Sequence, residues 1–204
     1  MINKKHWEQT YSDKAADEVS WFQPHADLSL RLIRKTSITH DAAIIDVGGG
    51  ASTLVADLLK VGYSNLTVLD LSYAALATSQ FRLGADSARV KWIEADITTV
   101  DLPESTYLVW HDRAVFHFLT SKEDRQAYIH ILKQSVKTGG SVIIATFAED
   151  GPTQCSGLPV MRYSVSALQE EFGSQFTLLS SQEEIHQTPF NTTQKFIYCT
   201  FRLD

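Results

Sequence analysis

From residue 41 onward, apolar runs short enough for strands alternate with stretches in which apolar residues recur every three or four positions. The runs AAIIDVG (42–48), NLTVLDLS (65–72), RVKWIEAD (89–96), TYLVWHD (106–112) and SVIIATFA (141–148) read as five strands. Between them, STLVADLLKVG, SYAALATSQFRLG and SKEDRQAYIHILKQSVKTGG carry helical spacing. The first two helices close near Gly62 and Gly84, as a left-handed C-cap prefers. The third opens with Ser121 and Asp124 in capping-box spacing and lines Ala127, Tyr128, Ile131, Leu132 and Ser135 along one side. It is expected to stop at Gly139 and Gly140. This rhythm predicts an α/β fold, a doubly wound and mostly parallel sheet with helices on both faces.

After residue 150 the pattern changes. A turn-rich loop, EDGPTQCSGLP, and a short helix around VSALQEEFG precede two β-rich runs, FTLLSSQEEIHQ (176–187) and TQKFIYCTFRL (193–203). The five residues TPFNT between those runs leave no room for a crossover helix, so the two should pair antiparallel at one edge of the sheet.

Composition narrows the class. With 204 residues, 44% hydrophobic and 21% charged, the chain fits a single domain, 1–204. Within it, 1–40 is expected as an amino-terminal helical lid, 41–150 as a ligand-binding core and 151–204 as an acceptor loop with the terminal hairpin. A net charge of −6 argues against nucleic acid as a partner. Two cysteines, Cys155 and Cys199, are too few for a disulfide framework or a tetrahedral zinc site, so no metal is expected and a reducing compartment fits. The start MINKKHWEQTYSDK lacks the apolar core of a signal peptide, and no run approaches the ~18 apolar residues of a membrane span. A cytoplasmic protein, without a membrane partner and either monomeric or homodimeric, is the expectation.

The stretch IIDVGGGAST (44–53) is a strand running into a glycine turn. Gly48, Gly49 and Gly50 would let the backbone approach a ligand, with the free N–H groups of the next helix behind them. The dinucleotide fingerprint needs a third spaced glycine where Thr53 stands, and a P-loop needs a lysine and a hydroxyl residue where Ala51 and Ser52 stand. Asp46 just before the turn suits an ammonium group and repels phosphate. Asp70 closes the second strand, where a carboxylate accepts from a ribose diol, and Asp96 closes the third, where it can accept from an adenine amino group. Three acids at successive strand ends form a coherent site for an adenosyl amino acid. NAD remains compatible with Asp70 alone.

With these motifs the chain resembles the class I S-adenosylmethionine-dependent methyltransferases. IIDVGGGAS, VLDLS, IEADI, YLVWHDRAVFHFL and LKQSVKTGGSVIIATF carry the likeness, which runs from about Trp7 to the carboxyl end. The resemblance implies a Rossmann-like seven-stranded sheet with a reversed terminal hairpin. It implies S-adenosyl-L-methionine as cofactor and S-adenosyl-L-homocysteine as product, held by Asp46, Gly48, Gly49, Gly50, Asp70, Leu71, Asp96, Ile97 and His111. Small methyltransferases similar to this one, some lysine methyltransferases among them, carry W-x3-Y followed by another aromatic residue. On that likeness Trp7, Tyr11 and Trp21 become lid and cofactor contacts, whereas spacing alone favours an ordinary amphipathic helix packed on the domain.

Methyl transfer from a sulfonium needs a held nucleophile and a dry site, and a base only where the acceptor arrives protonated. WHDRAVFHFLT (110–120) follows the fourth strand and offers His111 and His117 as candidate catalytic groups, while Asp112 and Arg113 could form a structural ion pair. The N/D-P-P-Y/F motif shared by methyltransferases of adenine, cytosine and glutamine is missing there. Arg162 and Tyr163 in the later loop are candidate acceptor-binding residues. The resulting expectation is an enzyme methylating a small molecule, with protein lysine, a noncatalytic S-adenosylmethionine-binding module and an NAD-dependent oxidoreductase as alternatives.

Overall fold

The computed structural model describes residues 4–13 and 15–204, residue 16 by its backbone only. The chain runs through α1 (Lys4–Asp13), α2 (Asp27–Lys35), β1 (Ile44–Val47), α3 (Leu54–Lys60), β2 (Leu66–Asp70), α4 (Tyr73–Leu83) and β3 (Val90–Glu94). It continues through β4 (Tyr107–Arg113), α5 (Lys122–Ser135), β5 (Val136–Phe147), β6 (Gln154–Cys155), β7 (Leu158–Pro159), α6 (Val165–Phe172), β8 (Phe176–Gln187) and β9 (Thr193–Leu203). The seven-stranded sheet has the order β3-β2-β1-β4-β5-β9-β8. β1 to β5 pair in parallel, whereas β9 runs antiparallel to both β5 and β8, as the two late β-rich runs predicted.

Alternation of side chains along the buried strands builds two cores. Ile44, Val68 and Val109 face Leu28, Leu32 and Ile33 of α2 and Leu54 and Leu58 of α3. Their neighbours Ile45, Leu69 and Trp110 face Tyr128 and Leu132 of α5 and Leu168 and Phe172 of α6. The residues of β1 and β2 are therefore covered whichever way they point, which is why these strands read as nearly unbroken apolar runs. Helix entry is local: Ser72, Ser121 and Ser164 each accept the N–H three residues on, at 3.1 Å. Gly62 and Gly84 adopt φ of +99° and +56° beyond α3 and at the end of α4, the left-handed region expected of them.

Two expectations shift. The third helix ends at Ser135, and the buried Val136 already pairs with Tyr107 as strand. The glycine pair instead lies inside β5 beside a register irregularity between Tyr107 and Val109, with Gly139 at φ +81°. The expected lid of residues 1–40 also divides. α2 buries Leu28, Leu32 and Ile33 against the sheet layer and gives Ser29 to the second cavity described below, while Trp7, Tyr11 and Trp21 of the preceding segment line the first. Among the described residues no helix is long and apolar enough to cross a membrane.

Candidate functional site

The strand order reverses direction between β1 and β4, and a crevice opens beyond their carboxyl ends, where open parallel sheets bind ligands. Two adjoining cavities lie there, sharing Tyr11, Trp21, Gly48 and Arg113 in their walls.

The first cavity is mostly apolar. Leu69, Asp70, Leu71, Ala95 and Ile97 form its inner wall, and Trp7, Tyr11, Trp21, Phe118 and Cys155 close it from outside. Both oxygens of Asp70 accept backbone N–H groups, Oδ2 from Gly50 at 3.0 Å and Oδ1 from Ser72 at 2.9 Å. Burial outweighs these bonds and pushes the carboxyl up to about 6. The aromatic wall is edge-on packed: the Trp7 ring lies 5.0 Å from Phe118 and 5.8 Å from Trp21, whose indole N–H donates to the Tyr11 hydroxyl at 3.1 Å.

The second cavity is polar, lined by Asp46, Gly48, Gly49, His111, Ser29 and Gln23 among others. His111 is clamped there, Nδ1 2.7 Å from Asp46 Oδ1 and Nε2 2.8 Å from Ser29 Oγ. A carboxylate can only accept, so Nδ1 donates and Nε2 takes the serine proton. The other oxygen of Asp46, Oδ2, is buried with no partner among the described residues. A Cβ on Gly49 would stand 2.2 Å from that oxygen, and one on Gly48 would stand 1.9 Å from Val115 Cγ2. The bare backbone of the turn thus leaves open the space that an incoming ammonium needs to reach an unsatisfied carboxylate. Asp70 in the apolar half and Asp46 in the polar half fit an adenosyl amino acid.

Trp7, Tyr11, Trp21, Asp46, Gly48, Gly49, Asp70, Leu71, Ile97 and His111 therefore line one or other cavity. Gly50 supports Asp70 from behind. Asp96 spends Oδ1 on the N–H and hydroxyl of Thr98, at 2.9 and 2.7 Å, and its neighbours Ala95 and Ile97 make the wall.

Four expectations change with the geometry. His117 lines neither cavity: its ring is buried against Phe118 and Phe147, Nδ1 accepts the Phe147 N–H at 3.3 Å, and burial with the Arg113 charge lowers it to about 3. It is a neutral core histidine, not a base facing the site. His111 does line the second cavity, but its Nδ1 is on Asp46 and its Nε2 on Ser29, so neither ring nitrogen is left free for an acceptor in this arrangement. Tyr163 is buried against Phe116, ring centres 5.7 Å apart, and the exposed Arg162 donates to the Gly151 carbonyl at 3.3 Å; neither lines either of these two cavities. Asp112 and Arg113 point apart. Asp112 accepts from Val115 and Phe116 N–H and from the Tyr128 hydroxyl at 2.6 Å, and burial raises it to about 6.

Arg113 is the residue that motif reading undervalued. It lines both cavities, donates from Nε to the Tyr198 hydroxyl at 2.9 Å and from Nη1 to the Trp21 carbonyl at 3.1 Å, and lies over the Phe196 ring at 4.4 Å. Glu184 balances its charge at 3.5 Å and also accepts from Gln23 at 3.1 Å. The pattern DRAVF gave no signal for this, because its partners come from the terminal hairpin and the amino-terminal segment.

Residues 44–140 match the family model described as a methyltransferase domain. The chain is similar to the human EEF1A lysine methyltransferase 2, 23% identical over 157 residues, covering 70% of this chain and 66% of that one. An uncharacterized methyltransferase of Mycobacterium tuberculosis is 30% identical over 105 residues, covering 51% of this chain and 50% of that one. The chain spans less than two thirds of the length of the curated relatives it matches, 17% in the case of the mouse eEF1A lysine and N-terminal methyltransferase. Among solved structures, an S-adenosylmethionine-dependent methyltransferase of Anabaena variabilis superposes with a TM-score of 0.76 at 16% identity, covering 100% of this chain and 96% of that one. The 1,6-didemethyltoxoflavin-N1-methyltransferase of Burkholderia thailandensis, solved with 1,6-didemethyltoxoflavin and S-adenosylhomocysteine, gives 0.70 at 19% identity, covering 98% and 83%. At these identities the solved structures establish a shared fold.

Proposed function

We propose that this chain, a class I S-adenosylmethionine-dependent methyltransferase, methylates a small molecule that arrives with a free lone pair. S-adenosylmethionine, when bound, supplies an electrophilic methyl group on a sulfonium sulfur. Asp70 would hold the ribose diol and Asp46, oriented by His111, the ammonium of the methionine part. The rings of Trp7, Tyr11 and Trp21 exclude water and present aromatic faces to a cation. S-adenosylhomocysteine would be released as product.

One observation carries the acceptor class: apart from Asp70, the described side chains around the apolar cavity offer no acceptor for a proton at neutral pH. Asp70, which already accepts a backbone amide on each oxygen, would be covered by the ribose diol. Burial raises the Tyr11 phenol far above its usual range and the Cys155 thiol to about 12, and Arg113 is cationic. A lysine side chain arrives as an ammonium and must lose a proton before it can attack. A thiolate, a phenolate or an aromatic nitrogen has no such need.

A protein lysine acceptor is the second reading, favoured by the aromatic walls, which also attract ammonium groups, and by the lysine methyltransferases among the relatives. Incubating the protein with S-adenosylmethionine labelled at the methyl group and a cell extract, then separating small molecules, proteins and nucleic acids, tests both. Label confined to the small-molecule pool supports the first reading, and label on protein overturns it.

A further inference from the structure

We infer that Glu8 is a positioning residue, a clasp that fastens α1 to the amino terminus of α4 and thereby closes the aromatic wall of the cofactor cavity. The Glu8 carboxylate accepts the Tyr73 N–H at 2.6 Å on Oε1 and the Ala74 N–H at 3.1 Å on Oε2. These are the first two residues of α4, whose opening amides have no partner within the helix. Ser72 satisfies the next two, its hydroxyl taking Ala75 N–H at 3.1 Å and its carbonyl taking Leu76 N–H at 3.2 Å. Glu8 thus completes the cap from 65 positions away, with a negative charge at the positive end of the helix dipole.

The consequence lies in what sits next to each partner. Trp7 precedes Glu8 and Tyr11 follows one turn on, and both rings line the cavity. On the other side, Ser72 N–H binds Asp70, the acid at the inner wall of the same cavity. One carboxylate therefore sets the distance between the aromatic cover and the acid it covers. α1 is also held by the Lys4 to Glu94 ion pair and the 3.1 Å contact of His6 Nε2 with Ser156 Oγ, which tie it to β3 and to the β6–β7 turn, and by the packing of Trp7 and Tyr11 on Phe118 and Trp21. An exposed ion pair such as the first contributes little. A ligand entering beneath α1 would pass this cover, and Glu8 would then govern the rate of passage.

Two full-length variants test the clasp from its two ends. Glu8→Gln removes the charge, and one amide oxygen cannot serve both N–H groups in the same geometry. Tyr73→Pro removes one N–H at the first helical position, where proline is tolerated, and the Tyr73 ring is 61% exposed. Cys155 is the reporter, because it is buried in the same wall as Trp7 and Tyr11, while Cys199 between β5 and β8 is the internal control. In the ligand-free protein, iodoacetamide should label Cys155 about fivefold faster in both variants, Cys199 unchanged, with cooperative melting retained. S-adenosylhomocysteine should dissociate faster by a similar factor, read by stopped-flow tryptophan fluorescence. Labelling and dissociation rates within about twofold of the parent in both variants, the scatter of an uncoupled surface contact, would overturn the clasp. The inference rests on the cofactor reading only for the second measurement. A parent that fails to bind S-adenosylhomocysteine, with Cys155 still labelled faster in both variants, would remove that reading and leave the clasp standing.

Discussion

Nδ1 of His111 lies 2.7 Å from Oδ1 of Asp46, and the pair joins the ends of β1 and β4 directly beneath the glycine turn. Because Ser29 holds the other ring nitrogen, the carboxylate has one permitted orientation, with its second oxygen toward the turn. His111→Phe would leave Asp46 buried without this donor, and S-adenosylhomocysteine affinity should fall about tenfold or more in calorimetry, the worth of a hydrogen bond to a charged group. Ser29→Ala should cost only a few fold, about the worth of a neutral hydrogen bond. Equal affinity in His111→Phe and parent would dissociate this pair from ligand binding.

Gly49→Ala places a methyl group 2.2 Å from Asp46 Oδ2 and Gly48→Ala places one 1.9 Å from Val115 at a φ of +70°. The two should separate affinity from stability. Gly49→Ala displaces the carboxylate and should abolish measurable S-adenosylhomocysteine binding with a modest change in melting. Gly48→Ala adds backbone strain and overpacking of about 2 kcal/mol or more, and should lower the melting temperature clearly. Two variants with matching thermal losses and intact binding would contradict the cradle.

Burial raises Asp70 from 3.8 to about 6, and an ionised carboxylate is the stronger acceptor for a ribose diol. Binding therefore favours the charged form, so S-adenosylhomocysteine affinity should increase as pH rises through about 6 and level off above it. The stability of the free protein moves the opposite way. Asp70 and Asp112, both raised by burial, hold protons more tightly folded than unfolded, so their contribution is full below about 4 and is lost as pH rises through about 6. Calorimetric titrations and melting curves across this window check both signs. Asp70→Asn should flatten the affinity profile.

His117 stays neutral in the core, lowered to about 3, with Phe147 N–H on its Nδ1. Asparagine can keep that hydrogen bond through its side-chain oxygen. His117→Asn should preserve the shape of the pH–rate profile for methyl transfer to whichever acceptor the labelling experiment finds. Disappearance of a pH-rate limb in this variant would restore His117 as a base.

Arg113→Lys keeps the charge but cannot reach the Tyr198 hydroxyl, the Trp21 carbonyl and Glu184 at once. The loss should appear as weaker binding of S-adenosylhomocysteine by about tenfold, because one fork of donors holds the Trp21 segment against the hairpin. Glu184→Gln should produce a smaller change of the same sign, measured by the same titration.

Much of this was legible because strands and their ends are local. Apolar runs located β1 to β5, and an acid at a strand end reaches the carboxyl edge of the sheet wherever that strand lies, so Asp46 and Asp70 could be read from spacing. His117 and Tyr163 stood in promising segments, yet spacing carries no information on which wall of a loop faces the core. The glycine pair after α5 resembles a helix stop, but Val136 gains more as a buried strand residue beside Tyr107.

The sequence by itself determined the alternation of strands and helices, the glycine turn, the acids of the strand ends and the aromatic pair in α1, since each depends on residues within a turn or a strand of one another. Only the tertiary structure decided that His111 serves Asp46, that Arg113 turns from Asp112 to Tyr198, Trp21 and Glu184, and that Glu8 caps a helix far along the chain. Those bonds join groups that become neighbours only when the sheet closes its order, and a buried polar group takes whichever partner the packed core brings within reach.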